Sequence, residues 1–461
     1  MRSFKSTIAL PKKVISKSLK AIEDVIVSAL PGVASSLTGA ITATLIARGL
    51  GPFQMGQYAL VISVSSFTIM LSEMGIGQTA IRYASRAALE SDVEEQFAIL
   101  RWAFRLRILF VLGLSLIVFI LAPTIGGTIW HDNSLTPILQ LSLLIGIFAT
   151  LAQVPSIYLQ SIRRFRMNSI IKVTQALITF SGILLVAFFA LWHVELIIIV
   201  TVIATFIGAL AFITVTPKAA IFKFNTSWRS SHFMLRGALK PPTIKGETSA
   251  LDSSSIGSFA SFNFVDQMVS VGAANAAVWI MGIFLVKSQI GIYAAALYVA
   301  IPISLLVTAI STAFWPRVAA ARTLKGNKDL LRSAMLLTIF AVVGGLFYAV
   351  FAPLLMPFVF GAGYASGILV ARLLCLGWCI YLLSLPIGLV GYNFGVVRIS
   401  WLINVGQLSI IIAVNVLLLP VVGLLAAASA FVLSTIFGTV CSGIFLWSKM
   451  RRFTTQEADP D

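Results

Sequence analysis

The apolar residues of this chain fall into about twelve blocks of roughly 20, the length at which a helix crosses the ~30 Å hydrocarbon core of a bilayer. In hydrocarbon every backbone amide and carbonyl must be paired within the protein, so such blocks form either helices or a closed barrel. Barrel strands alternate apolar and polar residues, and these blocks do not. The predicted fold class is all-α: a polytopic membrane protein with about 12 transmembrane helices. Spans are predicted near 25–47, 54–75, 103–123, 137–160, 172–192, 196–215, 259–286, 289–314, 333–353, 367–390, 401–420 and 421–447. The first is longer than the apolar core of a signal peptide and is predicted to be an uncleaved anchor.

Composition excludes a water-soluble domain: 59% of residues are hydrophobic and 11% charged, where about 25% charged is usual. The net charge of +17 would suit a nucleic-acid surface, but its placement argues for orientation instead. On the predicted spans, 30 of the 33 Lys and Arg fall on one side, leaving Arg48, Lys287 and Arg372 on the other. Basic residues are retained in cytoplasmic loops, so both termini are expected in the cytoplasm, and no nucleic-acid partner is expected.

Five regions follow. Residues 1–24 form a basic cytoplasmic N-terminus, with Ile15, Leu19, Ile22 and Ile26 along one helical flank and Lys13, Lys17 and Lys20 on the other; it suits either an anionic membrane surface or a solvated tail. Residues 25–215 form an N-lobe of six spans and 216–258 a cytoplasmic linker. Residues 259–447 form a C-lobe of six spans, and 448–461 a cytoplasmic tail. The two lobes repeat one another. Gln54-Met55-Gly56-Gln57-Tyr58-Ala59 recurs as Gln289-Ile290-Gly291-Ile292-Tyr293-Ala294, 235 residues later, and the same offset carries Arg82 onto Arg317. An even number of spans per lobe makes this a parallel repeat about an axis along the membrane normal, a pattern common in transporters. Gly56 and Gly291 are expected to permit tight outer turns, and Tyr58 and Tyr293 to anchor at interfacial depth.

No catalytic constellation is present: no paired carboxylates, no Ser/His/Asp set and no phosphate-cradling loop, so the chain is not expected to be an enzyme. Cys375 and Cys379 share a helix face, but no further ligand joins them, and they are expected to behave as small apolar side chains. His131, His193 and His232 are scattered. No metal site and no cofactor are expected. Polar groups inside spans are costly and should face a cavity or another helix. The candidates for a substrate cavity are Gln153 and Gln160 on the fourth span, Asp266, Gln267 and Asn275 on the seventh, and Asn404, Gln407 and Asn415 on the eleventh. The alternative for each is an interhelical hydrogen bond worth about 0.6 kcal/mol. Arg48 and Lys287 are candidates for attracting a phosphate at the outer leaflet, or for snorkelling anchors. Glu73 is expected to pair with Arg82.

The run Ala47-Arg48-Gly49-Leu50-Gly51-Pro52, then Gly56-Gln57-Tyr58-Ala59, Glu73-Met74-Gly75-Ile76-Gly77 and Arg82-Tyr83, resembles the opening of the bacterial polysaccharide transporters. These are oligosaccharide flippases related to MATE-type multidrug exporters. Gly291-Ile292-Tyr293-Ala294-Ala295-Ala296 is similar to the start of that family's second lobe. The resemblance implies a MATE-like pair of six-helix lobes in the bacterial inner membrane. It implies translocation of a polyprenyl-(pyro)phosphate-linked oligosaccharide by alternating access, for surface polysaccharide synthesis. The lipid-linked oligosaccharide and membrane lipid would be partners, with a polysaccharide polymerase or other assembly proteins as further candidates. Many members carry an acidic residue about fourteen positions before the second-lobe glycine, where this chain has Ala277. Two rival functions stand beside this one: a proton- or sodium-coupled exporter of small amphipathic molecules, and a membrane-embedded enzyme acting on lipid-linked sugars.

Overall fold

A computed structural model describes residues 12–73, 75–222, 253–320, 324–394 and 397–458. Among the described residues there is no strand. Ten helices are long and apolar enough to cross a membrane, and Met268–Phe284 is a shorter apolar helix. One of the ten, Thr38–Glu73, belongs to the helical run Lys12–Glu73, which is broken at Gly51 (φ 69°, ψ 173°). Only a residue without a Cβ adopts that conformation freely, so the break takes one residue and no loop. We call the two arms α1 (12–50) and α2 (52–73). The further long helices are α3 (Val93–Pro123), α4 (Leu135–Ser161), α5 (Phe165–Phe188) and α6 (Val194–Val215) in the N-lobe. In the C-lobe they are α7 (Ser253–Phe284), α8 (Lys287–Ala320), α9 (Leu324–Val350), α10 (Ile368–Asn393), α11 (Val397–Val422) and α12 (Leu424–Ala458). The arrangement is compatible with twelve crossings.

Most of the 216–258 linker, and the side chains of 12–37 with their amphipathic segment, lie outside the described residues. The third crossing starts ten residues before its predicted boundary. Asp92 caps it, accepting from the Glu95 amide at 2.9 Å, and Glu94 and Glu95 occupy its first turn, where carboxylates complement the helix dipole. Between α2 and α3 the amphipathic helix Ile76–Leu89 buries Ala80, Ala84 and Ala87 and turns Arg86 outward, where it pairs with Glu90 at 2.9 Å.

The two lobes use the same pairings. In the N-lobe α6 packs on α4 and α5, and α3 on α4; in the C-lobe α12 packs on α10 and α11, and α9 on α10. Pro123 in α3 leads into a π-helical turn, Thr124–Ile129, and Pro353 after α9 leads into another, Met356–Phe360. The outer surface of each lobe is apolar: Leu116, Ile120, Phe188, Phe340, Phe347 and Leu417 are all more than half exposed. Patches of that extent are foreign to a soluble monomer and suit lipid. The chain is a multi-pass membrane protein.

Candidate functional site: a sealed end and a polar groove

The repeated glycine motif holds the lobes together. A Cβ on Gly56 would lie 1.8 Å from the carbonyl oxygen of Lys287, and one on Gly291 would lie 1.9 Å from that of Pro52. Pro52 and Lys287 are themselves 235 residues apart, so the contact is reciprocal, as across a local two-fold axis. Gly56 and Gly291 therefore do not serve the outer turns expected of them. They lie inside α2 and α8, where two helices touch backbone to backbone. Tyr293, expected at an interface, is buried in the core shared by the lobes.

Four hydrogen bonds join the lobes around this crossing. Tyr364 Oη donates to the Ala47 carbonyl at 2.6 Å and Lys287 Nζ to that of Trp130 at 2.5 Å. Trp130 Nε1 donates to the Trp279 carbonyl at 3.3 Å, and Trp279 Nε1 to Ser63 Oγ at 2.9 Å. Ser63 is twelve residues past Gly51, so the seal extends about 18 Å along α2 from that break. The loop carrying Trp130 is pinned to α2 by Gln57, which donates to Asp132 at 2.9 Å and to Ser134 at 3.1 Å.

Burial alone would raise the Asp132 carboxyl. Its hydrogen bonds from Ser134 and Gln57, with the Lys287 ammonium nearby, prevail and hold it below the usual 3.8. A carboxyl lowered by folding contributes stability above its unfolded value, and that contribution is lost as pH falls through the folded value. Iodide quenching of tryptophan fluorescence should therefore stay flat from pH 8 to pH 5 and rise only below about pH 4. In Asp132→Asn that acid step should vanish. A rise already between pH 7 and pH 5 would show that another group controls the seal.

A groove of about 230 Å³ opens within the C-lobe between α10, α11 and α12. Tyr381 and Ser384 come from α10, Asn404 and Gln407 from α11, and Thr435 and Thr439 from α12; none of its eleven lining residues is charged. α10 starts beside the seal, and its groove residues lie 13–20 positions further on, about 20–30 Å away. The groove thus occupies the half of the lobe remote from the seal. Gln407 donates to the Ser434 carbonyl at 3.0 Å, and Asn404 donates to Ser270 of α7 at 3.1 Å. The arrangement offers hydroxyls, amides and one aromatic face, with no charged side chain among its lining residues.

The other expected site residues are dispersed. Gln153 accepts from Arg107, and Gln160 donates to Ser156, which donates to Asn168; both glutamines are engaged within the N-lobe. Asn275 donates to the Val271 carbonyl on its own helix, and Asn415 to that of Ile411. Asn415 is 0% exposed, with no partner for Oδ1 among the described residues. Asp266 and Gln267 lie on α7, and their side chains are outside the described residues. Arg48 is exposed, whereas Lys287 is 8% exposed with its ammonium in the seal. Arg107 went unflagged in the sequence because it sits near a predicted span boundary. It is 1% exposed, bonded to Gln153, with Nε unpartnered among the described residues. The Arg82 side chain is outside the described residues, while Glu73 Oε1 and Arg107 Nη1 both flank Gly77, 2.9 and 3.2 Å from where its Cβ would be.

A two-lobed repeat of this topology, with a neutral groove in the membrane, can be set beside known proteins. Residues 21–240 match the model of the polysaccharide biosynthesis protein family. No curated protein matches the chain. The fold is similar to that of solved MATE transporters and of a flippase. An inward-facing multidrug resistance MATE family transporter of the MOP superfamily superposes with a TM-score of 0.72, 11% identical, over 90% of this chain and 96% of that one. The lipid II flippase MurJ, in an inward closed conformation, gives 0.68 at 14% identity over 92% and 89%. The Vibrio cholerae MATE transporter VcmN in its bent form gives 0.57 at 13% over 93% and 97%. The MATE-like fold expected from the sequence is the fold observed.

Proposed function

We propose that the protein is a flippase that carries a polyprenyl-(pyro)phosphate-linked oligosaccharide across the bacterial inner membrane, from the cytoplasmic to the outer leaflet. The observation that carries this reading is the uncharged groove, in a chain whose residues 21–240 match a polysaccharide biosynthesis family. A hydrated glycan needs hydrogen-bonding groups in place of water on its way through hydrocarbon, and hydroxyls and amides supply them without trapping an ion. The seal closes the end opposite the Lys- and Arg-rich loops, so the groove faces the cytoplasmic half. Rocking the lobes about the Gly56–Gly291 crossing would expose it on the other side. The lipid tail would stay in the bilayer. The chemistry required is binding and release with no bond broken, in keeping with transporter and flippase neighbours rather than enzymes.

Deleting the gene should leave synthesis of the lipid-linked glycan intact and accumulate it in the cytoplasmic leaflet, where an externally added glycosidase cannot reach it. Surface polysaccharide should fall at least tenfold. Unchanged surface polysaccharide, in a strain without a second copy, would remove the flippase reading. Loss of the glycan from extracted lipids would point to an enzyme instead.

A further inference from the structure

The groove glutamine has an unassigned counterpart in the other lobe. Gln407 stands ten residues into α11, and Gly438, fourteen residues into α12, makes room for it: a Cβ there would lie 2.3 Å from Gln407 Nε2. Gln175 stands ten residues into α5, and Gly208, fourteen residues into α6, makes room for it: a Cβ there would lie 2.5 Å from Gln175 Oε1. The glutamines are 232 residues apart and the glycines 230, close to the offset of the glycine motif. Thr205 and Thr435 repeat on the same helices.

Both amides point away from lipid. On α5 the strongly exposed residues Ile170, Leu177, Leu184 and Phe188 share one side, and the buried Asn168, Ile171, Ile183 and Val186 share the other with Gln175. On α11 the exposed Leu402, Val405, Ile412 and Val416 lie opposite Gln407. The Gln175 side chain is half-buried, and its amide has no hydrogen-bond partner among the described residues. Polar groups in a spanning helix are costly unless satisfied, so an open amide on an inward face, with a glycine clearing space beside it, points to a ligand.

We propose that Gln175 and Gln407 are paired sugar-binding stations, one per lobe, each holding two neighbouring hydroxyls of a neutral sugar residue. A carboxamide presents a donor and an acceptor in one plane, which matches adjacent hydroxyls, and Tyr381 offers an aromatic face beside the C-lobe station. This deepens the oligosaccharide reading above and rests on it. The lobes are not identical: the position of Asn404 corresponds to Lys172 in the N-lobe. One oligosaccharide reaching both stations would couple its passage to the relative motion of the lobes.

The test is direct binding to the purified full-length protein in detergent, with maltotetraose and chitotetraose as neutral probes and tetraphenylphosphonium as a lipophilic cation. Gln175→Leu and Gln407→Leu should each weaken sugar binding about tenfold, and the double variant about a hundredfold, since two hydrogen bonds go at each independent site. Gly208→Ala and Gly438→Ala, which displace the amides and keep them, should weaken it about threefold. Melting curves for every variant separate binding from folding. If sugar affinity holds in the double variant while stability falls, the glutamines are structural and the stations are overturned, with the flippase reading intact. If the wild type binds the cation and neither sugar, the flippase reading falls and the stations with it.

Discussion

Gly56→Val is expected to abolish transport while leaving the protein in the membrane. The added side chain would begin 1.8 Å from the Lys287 carbonyl oxygen, a backbone atom that cannot rotate aside. Overpacking of this kind costs about 1–3 kcal/mol, and each 1.4 kcal/mol is a factor of ten in a population. The sealed arrangement should therefore lose about 5- to 150-fold in population relative to open ones. Because the contact is reciprocal, Gly291→Val should do the same through Pro52. A cysteine at the fully buried Met281, in the core the lobes share, reports the seal: Met281→Cys should react slowly with a water-soluble maleimide alone and quickly in combination with Gly56→Val. Gly344→Ala is the control, since nothing lies within 4 Å of its Cβ position. Normal transport and a slow Met281→Cys reaction in the Gly56→Val background would show that the crossing is not what closes this end.

Arg107→Leu should produce the largest loss of stability of any single change in the N-lobe. The guanidinium is 1% exposed, bonded to Gln153 and close to Glu73. Removing a buried, hydrogen-bonded charge costs about 1.5–3 kcal/mol, and more where a nearby carboxylate such as Glu73 loses its compensation. The expected readout is a sharply lower membrane yield and an earlier melting transition in detergent. Combining Arg107→Leu with Glu73→Gln removes the stranded carboxylate and should recover a good part of the loss. Arg107→Lys should fall between, since an ammonium keeps the charge near Glu73 but lacks the planar fork of donors. Wild-type melting in Arg107→Leu would mean that Glu73 is hydrated and the cluster contributes little.

The type and rough borders of the membrane helices were legible because apolar block length is dictated by the bilayer, whatever the helices pack against. The repeat was legible too, but only where its residues are identical. The meaning of Gly56 and Gly291 was not: a glycine near a predicted loop suggests a turn, whereas here Gly51 alone makes the turn and the later glycine is free to serve a crossing. Gln407 is legible as a cavity residue from the amides beside it on one helix face, whereas Gln175 has no second amide within a turn of it. The missing signal was spacing between helices: a glutamine ten residues into a fifth helix and a glycine fourteen into a sixth, twice. Arg107 was hidden because an arginine near a span boundary is ordinarily a snorkelling anchor, and it is α4 and the helix Ile76–Leu89, packed on α3, that cover it.

The Gly56–Gly291 crossing also bears on origin. Each lobe contributes the same surface to it, so a single six-helix unit with this motif would be complementary to a second copy of itself. Two separate chains could have paired through this patch before a linker joined them in one polypeptide. Fusion would then free each copy to change alone, and the divergence of Lys172 from Asn404 is what such release allows. At the glycines, which face each other across the axis, neither copy can change without striking the other.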